Sequence, residues 1–140
     1  MAVTHKPVYA QTVNNGSVQI LPADTTSLKT ILTAATDGTI VEKLLVTSSD
    51  TAAKDLQVYI TVGGVDYLIG TMTVPANSGF TASIPSLNFF QHSQVSSSVN
   101  QDSNGNKYLR MMTGEVLKAK VLSSVSASKA IYLRAEGGNL

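Results

Sequence analysis

LQVYITVGGVDYLIGTMTVP, residues Leu56–Pro75, alternates apolar and polar side chains, pauses at two glycines, and alternates again until a proline. Leu56, Val58, Ile60 and Val62 fall on one side, with Gln57, Tyr59 and Thr61 on the other. Successive side chains of a strand point to opposite faces, so a period of two predicts two strands, each with one buried face. Gly63-Gly64 supplies a two-residue loop. Primed turns demand positive φ, which glycine adopts without a Cβ clash. The returning strand runs from Val65 to Val74, and Pro75 ends it by removing a ladder donor. The segment reads as a β-hairpin with no catalytic residue at its turn.

The same pattern recurs on both sides. Upstream, Leu28–Ala34 alternates loosely, Asp37-Gly38 makes a turn, and Thr39–Ser48 follows with Ile40, Leu44 and Val46 facing in. Downstream, Tyr108–Thr113 is a short strand. Glu115–Ser123 sets Leu117, Ala119 and Val121 on one face and Lys118 and Lys120 on the other. Lys129–Glu136 buries Ile131, Leu133 and Ala135 and leaves Tyr132 and Arg134 outside. Further strands are expected within Val8–Val13 and over Gly79–Ile84. About eight short strands separated by turn signals predict an all-β antiparallel sandwich or barrel. Ser86–Ser97, SLNFFQHSQVSS, is the best helical window. Its serines and valines allow a turn or two, hence at most one short helix. Gln91–Lys107 is polar and reads as a long surface loop. Sheet edges invite pairing with another chain, so either edge lysines guard them or an edge is a binding surface.

The 140 residues suit one domain over 1–140, with 1–13 as an N-terminal arm. Apolar residues make up 43% and charged residues 14%. The charged share is well below the roughly one quarter of ordinary domains. Such a surface suits a protein that lies against other protein. Ten basic and nine acidic residues leave a net charge of +1, and the lysines and arginines are scattered. Nucleic-acid binding needs a concentrated basic footprint, so none is expected. With no cysteine, disulfides and thiolate metal sites are excluded. The opening MAVTHKPVYAQTVNN has no apolar run of the signal-peptide kind, and no apolar run is long enough to span a bilayer. Synthesis in the cytoplasm and no membrane partner are expected.

Motifs that carry chemistry do not emerge. His5 and His92 are far apart, in no metal-ligand spacing. Asp102-Ser103-Asn104-Gly105-Asn106 opens like a calcium loop. Lys107 then stands where the loop needs glycine, and Thr113 where it needs a bidentate glutamate. A turn is the better reading, since Asn-Gly is itself a turn signal. There is no G-x-S-x-G elbow, and nothing pairs Asp50, Asp55 or Asp66 with a base. Neither lysine nor helix follows Gly63-Gly64, so it cradles no phosphate. No catalytic residue, metal or cofactor is assigned, and the chain is expected not to be an enzyme. Tyr9, Tyr59, Tyr67, Tyr108 and Tyr132 are the candidate aromatic platforms for sugar binding. Tyrosines on alternating strands are more often half-buried packing residues.

Two stretches, Leu45–Pro75 and Gln101–Leu140, cover about half of the chain. They carry a T-S-x-D-T-A turn at Thr47–Ala52, the G-G hairpin, and D-x-N-G-N before the last three strands. In this they resemble the small head decoration, or cement, proteins of tailed bacteriophages. The resemblance implies a jelly-roll-like sandwich and a stabilising structural role without chemistry. It implies a virion protein on the capsid exterior, with the major capsid protein as partner and homo-oligomeric assembly as dimer or trimer. Contacts are then expected from three segments. The N-terminal arm brings Thr4, His5, Lys6 and Tyr9, and the Ser86–Asn106 loop brings Phe89, Phe90, His92 and Asn104. The C-terminal tail brings Asn139 and Leu140. The alternatives are a receptor- or carbohydrate-binding jelly-roll module of a tail or head fibre, and another head–tail structural component.

Overall fold

The computed structural model of the chain describes residues 10–140. Thr4, His5, Lys6 and Tyr9, and with them most of the expected arm, lie outside the described residues. Among the described residues eleven strands follow in order: β1 (Thr12–Val13), β2 (Gly16–Ile20), β3 (Lys29–Thr33), β4 (Thr39–Ser48), β5 (Lys54–Val62), β6 (Val65–Val74), β7 (Leu87–Asn88), β8 (Asn100–Gln101), β9 (Lys107–Met111), β10 (Val116–Val121) and β11 (Ile131–Asn139). Eight of them have five residues or more, and the helical content is short 3-10 turns. No helix among these residues is long and apolar enough to cross a membrane.

The strands form two antiparallel sheets. One runs β1-β11-β4-β9-β8, with β2 also beside β11 and β7 beside β4; the other runs β3-β10-β5-β6. Their apolar faces enclose a core in which Ile20, Leu44, Leu56, Met72, Leu117 and Ile131 have no exposed surface. The architecture is the antiparallel β-sandwich that period-two alternation predicts.

The opening hairpin is β5–β6. Gly63 and Gly64 take φ +58° and +81°, as a primed turn requires, and Val62 faces Val65 across it. Strand β4 keeps its expected bounds but not its expected faces. Glu136 of β11 faces Lys43 while the next residue, Gly137, faces Val41, so Glu42 is an extra, bulged residue. A bulge inverts the parity of everything beyond it. Thr39 and Val41 therefore point inward with Leu44 and Val46, and Ile40 is half-buried on the other side.

Three other expectations are corrected. Gly16–Ile20 is a strand that the alternation reading passed over. Gly79–Ile84 is a turn held by one isolated bridge, Thr81 to Ile84. The Gln91–Lys107 stretch is no open loop, because Val95 is fully buried. A Cβ on Gly70 would lie 2.6 Å from Val95 Cγ1, so the glycine leaves room for this valine over β6. Strand β10, which carries Lys118 and Lys120, lies between β3 and β5, so these lysines are not at an edge.

The first and last described strands also pair within the sandwich. Thr12 pairs with Asn139 and Val13 with Gly138, so these two residues of the expected arm form a sheet strand. The expected C-terminal tail is the last part of β11, followed by Leu140.

Candidate functional site

Phe89 and Phe90 were expected at a contact surface, and both are fully buried. The reason is local. Asn88 Oδ1 accepts from the Phe90 amide at 3.3 Å and from the Leu44 amide at 3.2 Å, next to the β4 bulge. This ties the 3-10 turn Phe89–Gln91 to β4. The rings then enter the core and meet edge to face, with centroids 6.2 Å apart. Burying each ring contributes far more than an exposed position would: removing such a ring typically costs about 3–5 kcal/mol.

The other expected contact residues scatter. His92 is half-buried, and its Nδ1 accepts from the Gln94 amide at 3.2 Å. Asn104 is exposed at the tip of the Asp102 turn. There Asp102 Oδ1 accepts from the amides of Asn104 and Asn106, both at 2.9 Å. The Asn106 amide, first among these donors, holds the Asp102 carboxyl below its usual range. Asn139 is committed within the chain. Its Oδ1 accepts from Asn14 and from the Thr39 hydroxyl, and its amide donates to the Thr12 hydroxyl. Leu140 donates its backbone N–H to Gly38 and lines a small cavity with Met111 and Met112.

The T-S-x-D-T-A stretch proves to be a structural hub. Asp50 has no exposed surface. Its carboxylate accepts from Ala52 N at 2.9 Å, Ser126 N at 3.0 Å and the Ser126 hydroxyl at 2.8 Å. Lys54 Nζ stands 4.0 Å away. Burial pushes this carboxyl up, but the Ser126 and Ala52 donors and the Lys54 charge outweigh it and hold the group below its ordinary 3.8. Nothing in the local sequence marks Asp50 as buried, because its main partner, Ser126, is distant along the chain. Among the described residues no cluster of three or more His, Asp or Glu side chains is placed to hold a metal ion.

The surface feature that departs most from an ordinary monomer is the far end of β5–β6. Val62, Val65, Tyr67 and Leu68 are 42%, 52%, 56% and 51% exposed. Facing partners in a sheet share a face, so Ile60, Val62, Val65 and Tyr67 continue the inner face beyond the core. Among the described residues strand β6 is also a sheet edge, with β5 alone beside it. It carries neither lysine nor proline, and Asp66 is its one charge. Edges are usually blunted by such residues. Near its core end the edge is closed: Gln94 Oε1 accepts from the Thr73 amide at 2.8 Å, and His92 holds Gln94 in turn. The tip, Val65–Leu68, has no such cover among the described residues.

Elsewhere, a cleft of about 480 Å³ sets Lys43, Lys107 and Arg110 against Glu42 and Asp102. Its mixed signs select no single ligand charge.

No protein-family model matches the sequence, and no curated protein matches it. Among solved structures, the chain is similar to one from the cyanophage Pam1 capsid asymmetric unit, with a TM-score of 0.45 and 14% identity over 99% of this chain and 94% of that one.

Proposed function

We propose that the chain is a phage virion structural protein that binds the outer capsid surface and stabilises the shell, as a decoration or cement protein without catalysis. The observation that carries this reading is the uncovered tip of β5–β6. It presents Val62, Val65 and Tyr67 on one face and Leu68 on the other, on an edge with a single charge. Exposed apolar side chains clustered at an uncovered strand edge mark a protein-binding site. The motifs at Thr47–Ala52, Gly63-Gly64 and Asp102–Asn106, which resemble those of decoration proteins, favour a capsid shell as the partner.

The mechanism is cross-linking. A protein touching two or more capsomers adds interface area across joints that internal pressure pulls apart. Each contact can be small, because a dimer or trimer with several contacts raises the effective concentration of the next one. The hairpin tip takes the place of Phe89 and Phe90 in this reading. The exposed Asn104 turn, Leu140 and the Thr4–Tyr9 segment remain secondary contacts to the major capsid protein.

The test is co-sedimentation of the purified chain with mature and unexpanded shells of its source phage. Saturable binding to mature shells at a fixed ratio to the major capsid protein is expected. The double variant Tyr67→Ser, Leu68→Ser should lose it while keeping its melting temperature. Absence of binding to either shell overturns the reading, and full binding by the double variant removes the hairpin from it.

A further inference from the structure

We propose that the outer face of the seven-stranded sheet carries a binding groove for a neutral saccharide, independent of the hairpin tip. Two cross-strand rows build it. Gln19, Tyr132 and Thr47 face one another across β2, β11 and β4, and beside them stand Ser17, Arg134 and Leu45. The groove holds about 540 Å³. That volume falls in the range of small-ligand sites.

Tyr132 lines one wall, and Phe80 braces its ring from beside the groove. Phe80 stacks on Tyr132 with centroids 5.9 Å apart and ring planes 28° from parallel. The two residues stay 53% and 42% exposed. The pair is held in place rather than merely left at the surface. Phe80 N donates to Asn77 O at 3.0 Å, Gly79 N to Ile84 O at 2.7 Å, and Ser48 N to Ser78 O at 2.9 Å, which fastens the Phe80 turn to the end of β4. A platform fixed in advance loses little entropy when a ligand arrives.

The polar groups argue for a polyol. Among the described residues the side chains of Gln19 and Thr47 have no hydrogen-bond partner, although both line the groove. Among the described residues Arg134 is the one charged residue lining it. Its Nε donates to Glu136 Oε1 at 3.1 Å and its Nη1 to the Ser17 hydroxyl at 3.3 Å. The guanidinium charge thus already has a carboxylate partner at the surface, and the complementary ligand is uncharged. A pyranose fits this set. Its C–H face carries slight positive charge and lies on the negative face of an aromatic ring. Its hydroxyls then reach the free amide of Gln19 and the hydroxyl of Thr47. A protein partner would cover roughly 800 Å² of surface, and the groove is confined to a few side chains.

The full chain, fluorescently labelled, would be screened on an array of neutral pentose, hexose and N-acetylhexosamine oligosaccharides, with uronate and sialylated glycans as anionic comparisons. Hits would be titrated calorimetrically against wild type, Phe80→Ala, Tyr132→Ala and Gln19→Ala. A neutral oligosaccharide should bind, and loss of either ring should weaken it about tenfold. Phe80→Ala sits on an exposed turn, so its melting temperature should match wild type and separate binding from folding. Binding to no glycan, to anionic glycans alone, or with equal strength by the ring variants overturns the proposal. So does a result in which Phe80→Ala loses shell co-sedimentation and no saccharide binds, which would make the groove a protein interface. Loss of shell binding by the hairpin variant leaves this test untouched, since the two sites share no residue.

Discussion

Asp50 accepts three hydrogen bonds on a carboxylate without exposed surface, so it joins β4, the following turn and the Ser126 region into one unit. Truncating it leaves Ser126 N, Ala52 N and the Lys54 ammonium without their acceptor. Asp50→Ala should cost about 2–4 kcal/mol, read as a lower urea midpoint at unchanged slope. The pH dependence has a definite sign. The native carboxyl lies below its ordinary 3.8, so the unfolded chain takes up this proton first. The contribution is therefore whole above the unfolded value and is lost as pH falls through the native one. Wild type should lose stability between about pH 5 and pH 2 more steeply than Asp50→Asn. Parallel pH profiles for the two proteins would show that the carboxylate is not the source. The T-S-x-D-T-A stretch was legible as a motif. Its function as a buried hub was not, because Ser126 is 76 positions away.

At the scale of elements, the β6 strand shows how alternation and coverage differ. The hairpin's two strands and its turn were legible from Leu56–Pro75, since period two and paired glycines are local signals. Which part of the strand is covered depends on what packs above it. Val95, taken as loop, is buried over Gly70, and its removal opens a cavity that the rigid strands below cannot close. Val95→Ala should destabilise the domain by about 1–3 kcal/mol. Gly70→Ala, which drives a methyl group to 2.6 Å from Val95 Cγ1, should also destabilise it, by about 1–3 kcal/mol. The double variant, with room restored, should be less destabilised than the sum of the two. Strict additivity in chemical denaturation would refute the contact. Phe89 and Phe90 were misassigned for a related reason. Polar neighbours on both sides made the segment look like surface, while the Asn88 side chain turns it inward.

For the whole molecule, closure of the sandwich depends on the pairing of its first and last described strands. Gly138 and Asn139 pair with Val13 and Thr12, and the Asn139 side chain links Thr12, Asn14 and Thr39. Removing Gly137–Leu140 should therefore act globally: it strips β1 of its partner and leaves the buried Thr39 hydroxyl without Asn139. A fall in melting temperature of about 10 °C is expected by calorimetry, with shell binding lost below that temperature only in proportion to unfolding. A truncated chain that melts like wild type but no longer binds shells would instead make this end a contact surface. The EGGNL ending read as a polar tail because its glycines and asparagine break the apolar alternation, and the sheet accepts them through hydrogen bonds instead.

The sequence by itself determined the all-β class, the hairpin and its turn, the inward faces of β10 and of β11 up to Ala135, and the turn at Asp102–Asn106. Each follows from side-chain period or from backbone preferences that neighbouring residues settle. Tertiary structure alone decided the parity change at Glu42, the burial of Phe89, Phe90, Val95 and Asp50, the central place of β10 in its sheet, and the open edge of β6. It also brought Phe80 onto Tyr132 beside Gln19 and Thr47. These are relations between segments far apart in the chain. Register, strand order and coverage are set by the mutual packing of two sheets, and no local pattern of residues encodes them.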